Sequence, residues 1–141
     1  MSASPSISAL EQNKALTIRW FEQVWNHGNR DAIAELFAAD GVIYDGSTAI
    51  RGPAEFEEFY DRLRSQFSDF QITPVIVLAE ADLACIHWTA SFKHIPTDRP
   101  AHVTGTSVVR VKDGKFVEAW QNWDAAGMAA QLSDQPAAPL F

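Results

Sequence analysis

The chain has 141 residues, enough for one domain, and 47% hydrophobic content with 5 Trp and 9 Phe supplies material for a sizeable core. A formal charge of −7 argues against nucleic acid or an anionic membrane as partner. A lone cysteine, Cys85, excludes an intrachain disulfide and a thiolate metal cluster; with an N-terminus, MSASPSISAL, that lacks signal-peptide character and no apolar run long enough to span a bilayer, this fits a reduced, cytoplasmic setting. Residues 1–7 read as a flexible arm. A first helix is expected from Ser8, with Ser8 as cap and Glu11 completing a capping box, to Trp25; Leu10, Ile18, Phe21, Val24 and Trp25 recur at helical spacing, with Leu16 and Trp20 beside them. Asn26-His27-Gly28 stops it. A short second helix runs from Arg30 to Phe37, capped by Asn29, and Val42 to Asp45 reads as a short strand. Residues 46–52 read as a loop. A third helix opens with Pro53 in its first turn and carries an apolar stripe of Phe56, Phe59, Tyr60, Leu63 and Phe67.

After Ser68 the period changes to that of strands. Phe70–Ala79 is a strand broken at Pro74, as suits an edge or a bulge, and Leu83–Phe92 is a strand with Ala84, Ile86, Trp88 and Ala90 on one face. Residues 100–124 form two strands around Lys112-Asp113-Gly114. A three-residue loop places Val111 opposite Lys115, Val109 opposite Val117, Ser107 opposite Ala119, Gly105 opposite Gln121 and Val103 opposite Trp123. A two-residue Asp113-Gly114 turn would slip the pairing and mix the faces. The three-residue register collects Val103, Gly105, Ser107, Val109, Val117, Ala119, Gln121 and Trp123 on an inner face. The small residues Gly105, Ser107 and Ala119 leave that face hollow. Ala125–Leu132 is expected to form one or two helical turns, and residues 133–141 a tail. The fold class is α+β: three N-terminal helices packed on a strongly curved, mostly antiparallel sheet, giving a cone whose open mouth suits a small molecule.

The segments WNHGNRDAIAELFAADGVIYDG, RGPAEFEEFYDRL, IHWTASFKH and TSVVRVKDGKFVEAWQNWD, in that order and spacing, resemble the SnoaL-like polyketide cyclase group of the nuclear transport factor 2-like superfamily over residues 10–132. The resemblance implies a single SnoaL-like domain over residues 8–132 with a cone-shaped α+β barrel and a deep apolar pocket. It implies a homodimer through the outer sheet face and, in catalytic members, acid–base chemistry without a cofactor. Members with no catalysis share the fold, so fold alone does not choose between them. Against ketosteroid isomerases, Asp45 stands where the general-base aspartate ends its strand. Phe21 stands at the oxyanion-donating tyrosine and Ser107 at the protonated aspartate, so both donors are changed. The Asp–Arg–Asp set of the epoxide hydrolases has no counterpart on the inner face of residues 103–123.

Read from the residues themselves, Asp45 is either a carboxylate at the rim of an apolar cavity, with its pKa raised toward useful values, or a turn residue before Gly46. Ser107 and Gln121 either orient a ligand oxygen or bond to neighbouring backbone. Trp88 and Trp123 are expected to line the cavity across from Phe21, Phe59 and Tyr60, with Ala119 leaving room; each aromatic could equally be core. Tyr44 and Tyr60 carry the only phenols and could replace the missing donor if they point inward. His87 and His102 fall on the outer face, His27 in a turn, and His94 is a second acid–base candidate over the mouth. No histidine or carboxylate spacing suggests a metal site. Arg110, Glu118 and Trp120 share the outer face, where a large aromatic favours a subunit interface. Three functions remain open: a cofactor-free enzyme acting on a small apolar carbonyl- or hydroxyl-bearing molecule, a binding protein using the same cavity, and an interaction module whose pocket is filled by its own side chains.

Overall fold

The computed structural model describes residues 7–133. Apart from Ile7 and Ser133, the expected arm over residues 1–7 and tail over residues 133–141 lie outside them. Helix α1 spans Ile7–Trp20 and continues as a π-helical segment, Phe21–Asn26. Ile7 is already helical, so Ser8 lies inside the helix and is not its cap. Thr17, Trp20, Phe21, Val24 and Trp25 are the buried residues of this long element; Ile18 is only half-buried. The wider π turn lets Phe21 and Trp25 both face the interior from successive turns. Helix α2 is confined to Ala32–Leu36, and the backbone N–H of Ala32 donates to the Asn29 carbonyl. Helix α3, Gly52–Gln66, has Pro53 in its first turn as expected. Phe67 is not the end of its stripe. It opens the next strand, because the chain turns extended there.

The strands are β1 Phe37–Asp45, β2 Thr48–Arg51, β3 Phe67–Glu80, β4 Leu83–His94, β5 Arg99–Lys112 and β6 Lys115–Trp123. The loop expected over residues 46–52 contains β2, paired to β1 across the tight turn Gly46-Ser47. Gly46 there has φ of +60°, which a side chain would strain. Sheet order is β2-β1-β6-β5-β4-β3, antiparallel except for the β1–β6 pair. The sheet is not closed: β2 and β3 are its two edges, so the expected barrel is an open, curved sheet with helices on its inner face. Helix α4, Ala125–Leu132, follows β6 and packs chiefly on β5. Among the described residues no helix is long and apolar enough to cross a membrane.

The β5–β6 turn corrects the expected register. Lys112 pairs with Lys115 across a two-residue Asp113-Gly114 turn, both corners at positive φ (53° and 75°), the geometry whose twist matches that of the strands it joins. Val111 therefore faces Phe116. The pairing then shifts by one residue between Val111 and Arg110, so Arg110 faces Glu118, Val109 faces Ala119, Ser107 faces Gln121 and Gly105 faces Trp123. The bulge reverses the change of face that the shorter turn introduces. Val103, Gly105, Ser107, Val109 and Ala119 are all buried, as the inner-face expectation required. Phe116 takes the buried place expected for Val117, which is half-buried. The hollow expected above Gly105 is filled: a Cβ there would lie 2.3 Å from the Trp88 ring, so the glycine makes room for the indole of its cross-strand partner.

Candidate active site

Two cavities open between the helices and the inner sheet face. The outer one, about 70 Å³, lies at the end of the sheet where β6 runs into α4. Phe21 and Trp25, Phe59 and Leu63, Phe67, Phe70, Trp88 and Phe92 give it an almost wholly aromatic and aliphatic wall, closed by Trp123, Gln121 and Met128. The inner one, about 30 Å³, has room for a water molecule or two and is lined by Thr17, Ile43, Phe56, Ser107, Phe116 and Ala119 among others. Phe21 and Gln121 line both and form the partition between them.

The polar groups are few. Ser107, 3% exposed, accepts a hydrogen bond from Trp88 Nε1 at 3.1 Å. That bond leaves the hydroxyl's own proton free to donate, since a serine oxygen can accept and donate at once. Gln121 is half-buried, and none of the side-chain hydrogen bonds among the described residues engages its amide. Asp45 is the one carboxylate of the site. The parallel pairing of β1 with β6 places it directly beside Gln121, and the Gly46 backbone N–H donates to the Gln121 carbonyl. Trp123 Nε1 donates to Asp45 Oδ1 at 3.0 Å. Asp45 is half-buried and stands behind the outer cavity's wall, one hydrogen bond away through the Trp123 indole. Burial pushes its pKa above the ordinary carboxylate value, and the Trp123 hydrogen bond, which favours the anion, offsets this only partly.

Of the residues singled out in the sequence, Phe21, Phe59, Trp88, Gln121 and Trp123 come together around the outer cavity, and Phe21, Ser107, Ala119 and Gln121 around the inner one. Tyr60 does not join them. It is buried with its hydroxyl donating to the Val24 carbonyl at 3.0 Å. Tyr60 and Arg64, one turn apart on α3, satisfy the Val24 and Trp25 carbonyls at the end of the first helix, where no helical donor follows. Adjacent residues of a helix point about 100° apart, so Phe59 at the cavity turns Tyr60 away from it. Tyr44 stacks on Trp120, centroids 6.3 Å apart, on the outer face. Neither phenol supplies the donor missing at Phe21. His94 Nδ1 is 2.8 Å from Thr97 Oγ1 and its ring rests against the wall residue Phe67, but it lines neither cavity. His87 meets Thr106 on the outer face. No group of three or more His, Cys, Asp or Glu among the described residues could hold a metal ion.

Sequence reading missed the wall contributed by Phe70, Phe92 and Met128. Phe92 shares the parity of Ala84, Ile86, Trp88 and Ala90, but Phe70 stands on a strand whose alternation is broken by register shifts, and the place of both at the mouth depends on how the sheet curves. Met128 had no signal beyond one apolar side chain in a short helix.

The SnoaL-like domain family model matches residues 17–119. No curated protein matches the chain. Among solved structures, a protein from Jannaschia sp. CCS1 assigned as a SnoaL-like polyketide cyclase superposes with a TM-score of 0.84 at 18% identity, covering 96% of this chain and 100% of that one. IdmH of Streptomyces antibioticus, also assigned as a polyketide cyclase, gives 0.75 at 26% identity, with coverage of 84% and 97%. A Catenulispora acidiphila protein with a ketosteroid isomerase-like fold gives 0.76 at 19% identity, with coverage of 88% and 97%. The first and third likenesses establish the fold.

Proposed function

Since the chain belongs to the SnoaL-like domain family, whose model spans most of its length, we propose that it is a pocket enzyme that moves a proton on a small apolar carbonyl- or hydroxyl-bearing molecule without a cofactor. The observation that carries this reading is the hydrogen bond from Trp123 to Asp45. It joins a carboxylate of raised pKa to the wall of the larger of the two apolar cavities on the inner face. As a base, Asp45, which the Trp123 ring separates from the cavity until a ligand displaces it, takes a proton from the carbon next to a carbonyl; the electron pair moves onto the carbonyl oxygen, and the proton returns to another atom as the bond pattern shifts. Gln121, which lines the same cavity, supplies an N–H donor to that oxygen, while Ser107 stands beyond the partition on the inner cavity. The amide is neutral and weaker than an acid–tyrosine pair, so a substrate with an already acidic C–H, as in a β-dicarbonyl, suits the site best. The 26% identity to IdmH supports a polyketide-like substrate class.

The test is deuterium uptake at the α-carbon of β-tetralone in heavy water, followed by NMR. The wild-type chain is expected to accelerate it and Asp45→Asn to abolish the acceleration; equal uptake in both removes Asp45 from the chemistry. The rate should rise with pH through the raised Asp45 pKa, because only the anion accepts the proton. Trp123→Phe removes the bond that favours the anion, so it should move that rise to higher pH.

A second reading, ligand binding without turnover, is favoured by Phe21: it puts a ring with no hydroxyl at the partition. It predicts thermal stabilisation by apolar ketones that survives Asp45→Asn, with no deuterium uptake.

A further inference from the structure

Resting on the reading that the cavity takes a ligand, we propose that helix α4 is the removable wall of the outer cavity, with Met128 its ligand-contacting residue and Gln131 its latch. The cavity as it stands, about 70 Å³, is far smaller than the few hundred Å³ of pockets that enclose drug-sized molecules. A wall must move for anything larger than a few atoms to enter. Every other wall belongs to an element with residues fixed in the core: the helix from Ile7 to Asn26, α3, and strands β3 to β6. Helix α4 has no buried residue. Its sequence, AAGMAAQL, carries no charge, and only Met128 and Leu132 pack against the core, each partly exposed.

Beyond the partial packing of Met128 and Leu132, what holds α4 down is polar and local. Strand β6 ends opposite Gly105, so the first residues of β5 have no strand on that side. There Gln131 takes the place of a strand partner: its Oε1 accepts from the His102 backbone N–H at 2.8 Å, and its Nε2 donates to the His102 carbonyl at 2.7 Å. At the other end Asp124 caps the helix, its Oδ1 accepting from the Gly127 N–H at 2.9 Å, and its own N–H donates to the Thr104 carbonyl. Asp124 is thus a fixed pivot next to Trp123, and Gln131, two turns on, is a two-bond catch near the other end. Releasing the catch swings Met128 off the cavity, and water takes over the His102 groups, so opening costs the catch together with the partial packing of Met128 and Leu132.

The experiment uses the full chain. Amide exchange at His102, read by NMR, reports release of the catch, with the fully buried Ile86 in the interior strand β4 as reference for global unfolding. Stopped-flow binding of Prodan, a neutral fluorescent naphthyl ketone, reports entry. In the wild type His102 is expected to exchange much faster than Ile86. Gln131→Ala should speed both His102 exchange and Prodan association roughly tenfold, the scale of two neutral hydrogen bonds, while leaving Ile86 unchanged. Met128→Ala should change Prodan affinity without changing His102 exchange. Exchange of His102 in step with Ile86, or Prodan association unmoved by Gln131→Ala, overturns the moving wall; unmoved affinity in Met128→Ala removes Met128 from the contact. Failure of Prodan to bind any form would instead sink the ligand-cavity reading, and the exchange arm would still decide whether α4 opens.

Discussion

Asp45 carries a stability cost that follows from the same burial that makes it useful. In the unfolded chain it ionises at the ordinary carboxylate value; in the folded chain it holds its proton to higher pH. Between those two values the native state binds more protons than the unfolded state, so stability falls as pH rises through that window. The penalty is complete above the folded pKa and absent below the unfolded one. Asp45→Asn keeps an oxygen to accept from Trp123 Nε1 but never ionises. The variant should be more stable than wild type in urea unfolding at neutral pH, and the gap should close as pH is lowered past the unfolded value. A variant that is less stable at neutral pH would mean that the anion is held more tightly than burial opposes it. The position was legible in the sequence because Val42–Asp45 ends in Asp-Gly, but its partner was not. Trp123 lies 78 residues away, and the register that sets it beside Asp45 depends on the parallel β1–β6 pairing.

Elements show where local pattern suffices and where it does not. The strand faces of β5 and β6 were readable from their alternating small and polar residues, and they survive although the turn between them is shorter than expected. The bulge at Phe116-Val117 absorbs the difference, and a bulge leaves little trace in composition when both residues are apolar. Strand β2 was hidden because four residues, Thr48–Arg51, show too few alternations to stand out from a loop. Side-chain amides that close open strand edges are likewise invisible, since their partners are remote. Asn26 bonds both backbone groups of Ile72, Nδ2 to its carbonyl at 2.9 Å and Oδ1 from its N–H at 2.7 Å, much as Gln131 does at His102. The two devices differ in what stands behind them. Asn26 follows Val24 and Trp25, both buried, so its bonds fix one end of β3 to a rigid helix. Asn26→Ala leaves both Ile72 groups without that partner and should cost about 1–3 kcal/mol. In urea unfolding this appears as a lower midpoint with an unchanged slope. A changed slope would point to partial release of β3.

At the scale of the whole molecule, the outer sheet face leaves large apolar side chains uncovered. Strand register lines up Tyr44, Trp120, Val108, Cys85 and Leu78 in one row across five strands. Leu78 is 61% exposed, with Ile76 and Val75 exposed beside it on the edge strand. Polar groups rim the row: Arg110 bridges Asp82 and Glu118 at 2.8 and 3.1 Å on one side, and His87 meets Thr106 on the other. An apolar centre within a polar rim is the build of a protein interface. The proposed occupant is a second copy of the chain, because a face with an apolar centre and ion-paired side chains at its rim can match itself about a two-fold axis. Each chain carries a formal charge of −7, so two copies repel at long range. The apolar row must overcome this, and added salt should help by screening the repulsion while leaving the buried contact intact. Light scattering is expected to give twice the 15.6 kDa chain mass, with tighter association at higher ionic strength. Trp120→Glu puts a charge at the middle of the row and should return the monomer without loss of folded signal, since Trp120 faces away from both cavities. A wild-type chain that stays monomeric at all salt concentrations, or a Trp120→Glu variant that still dimerises, would assign the pairing to another surface or to none.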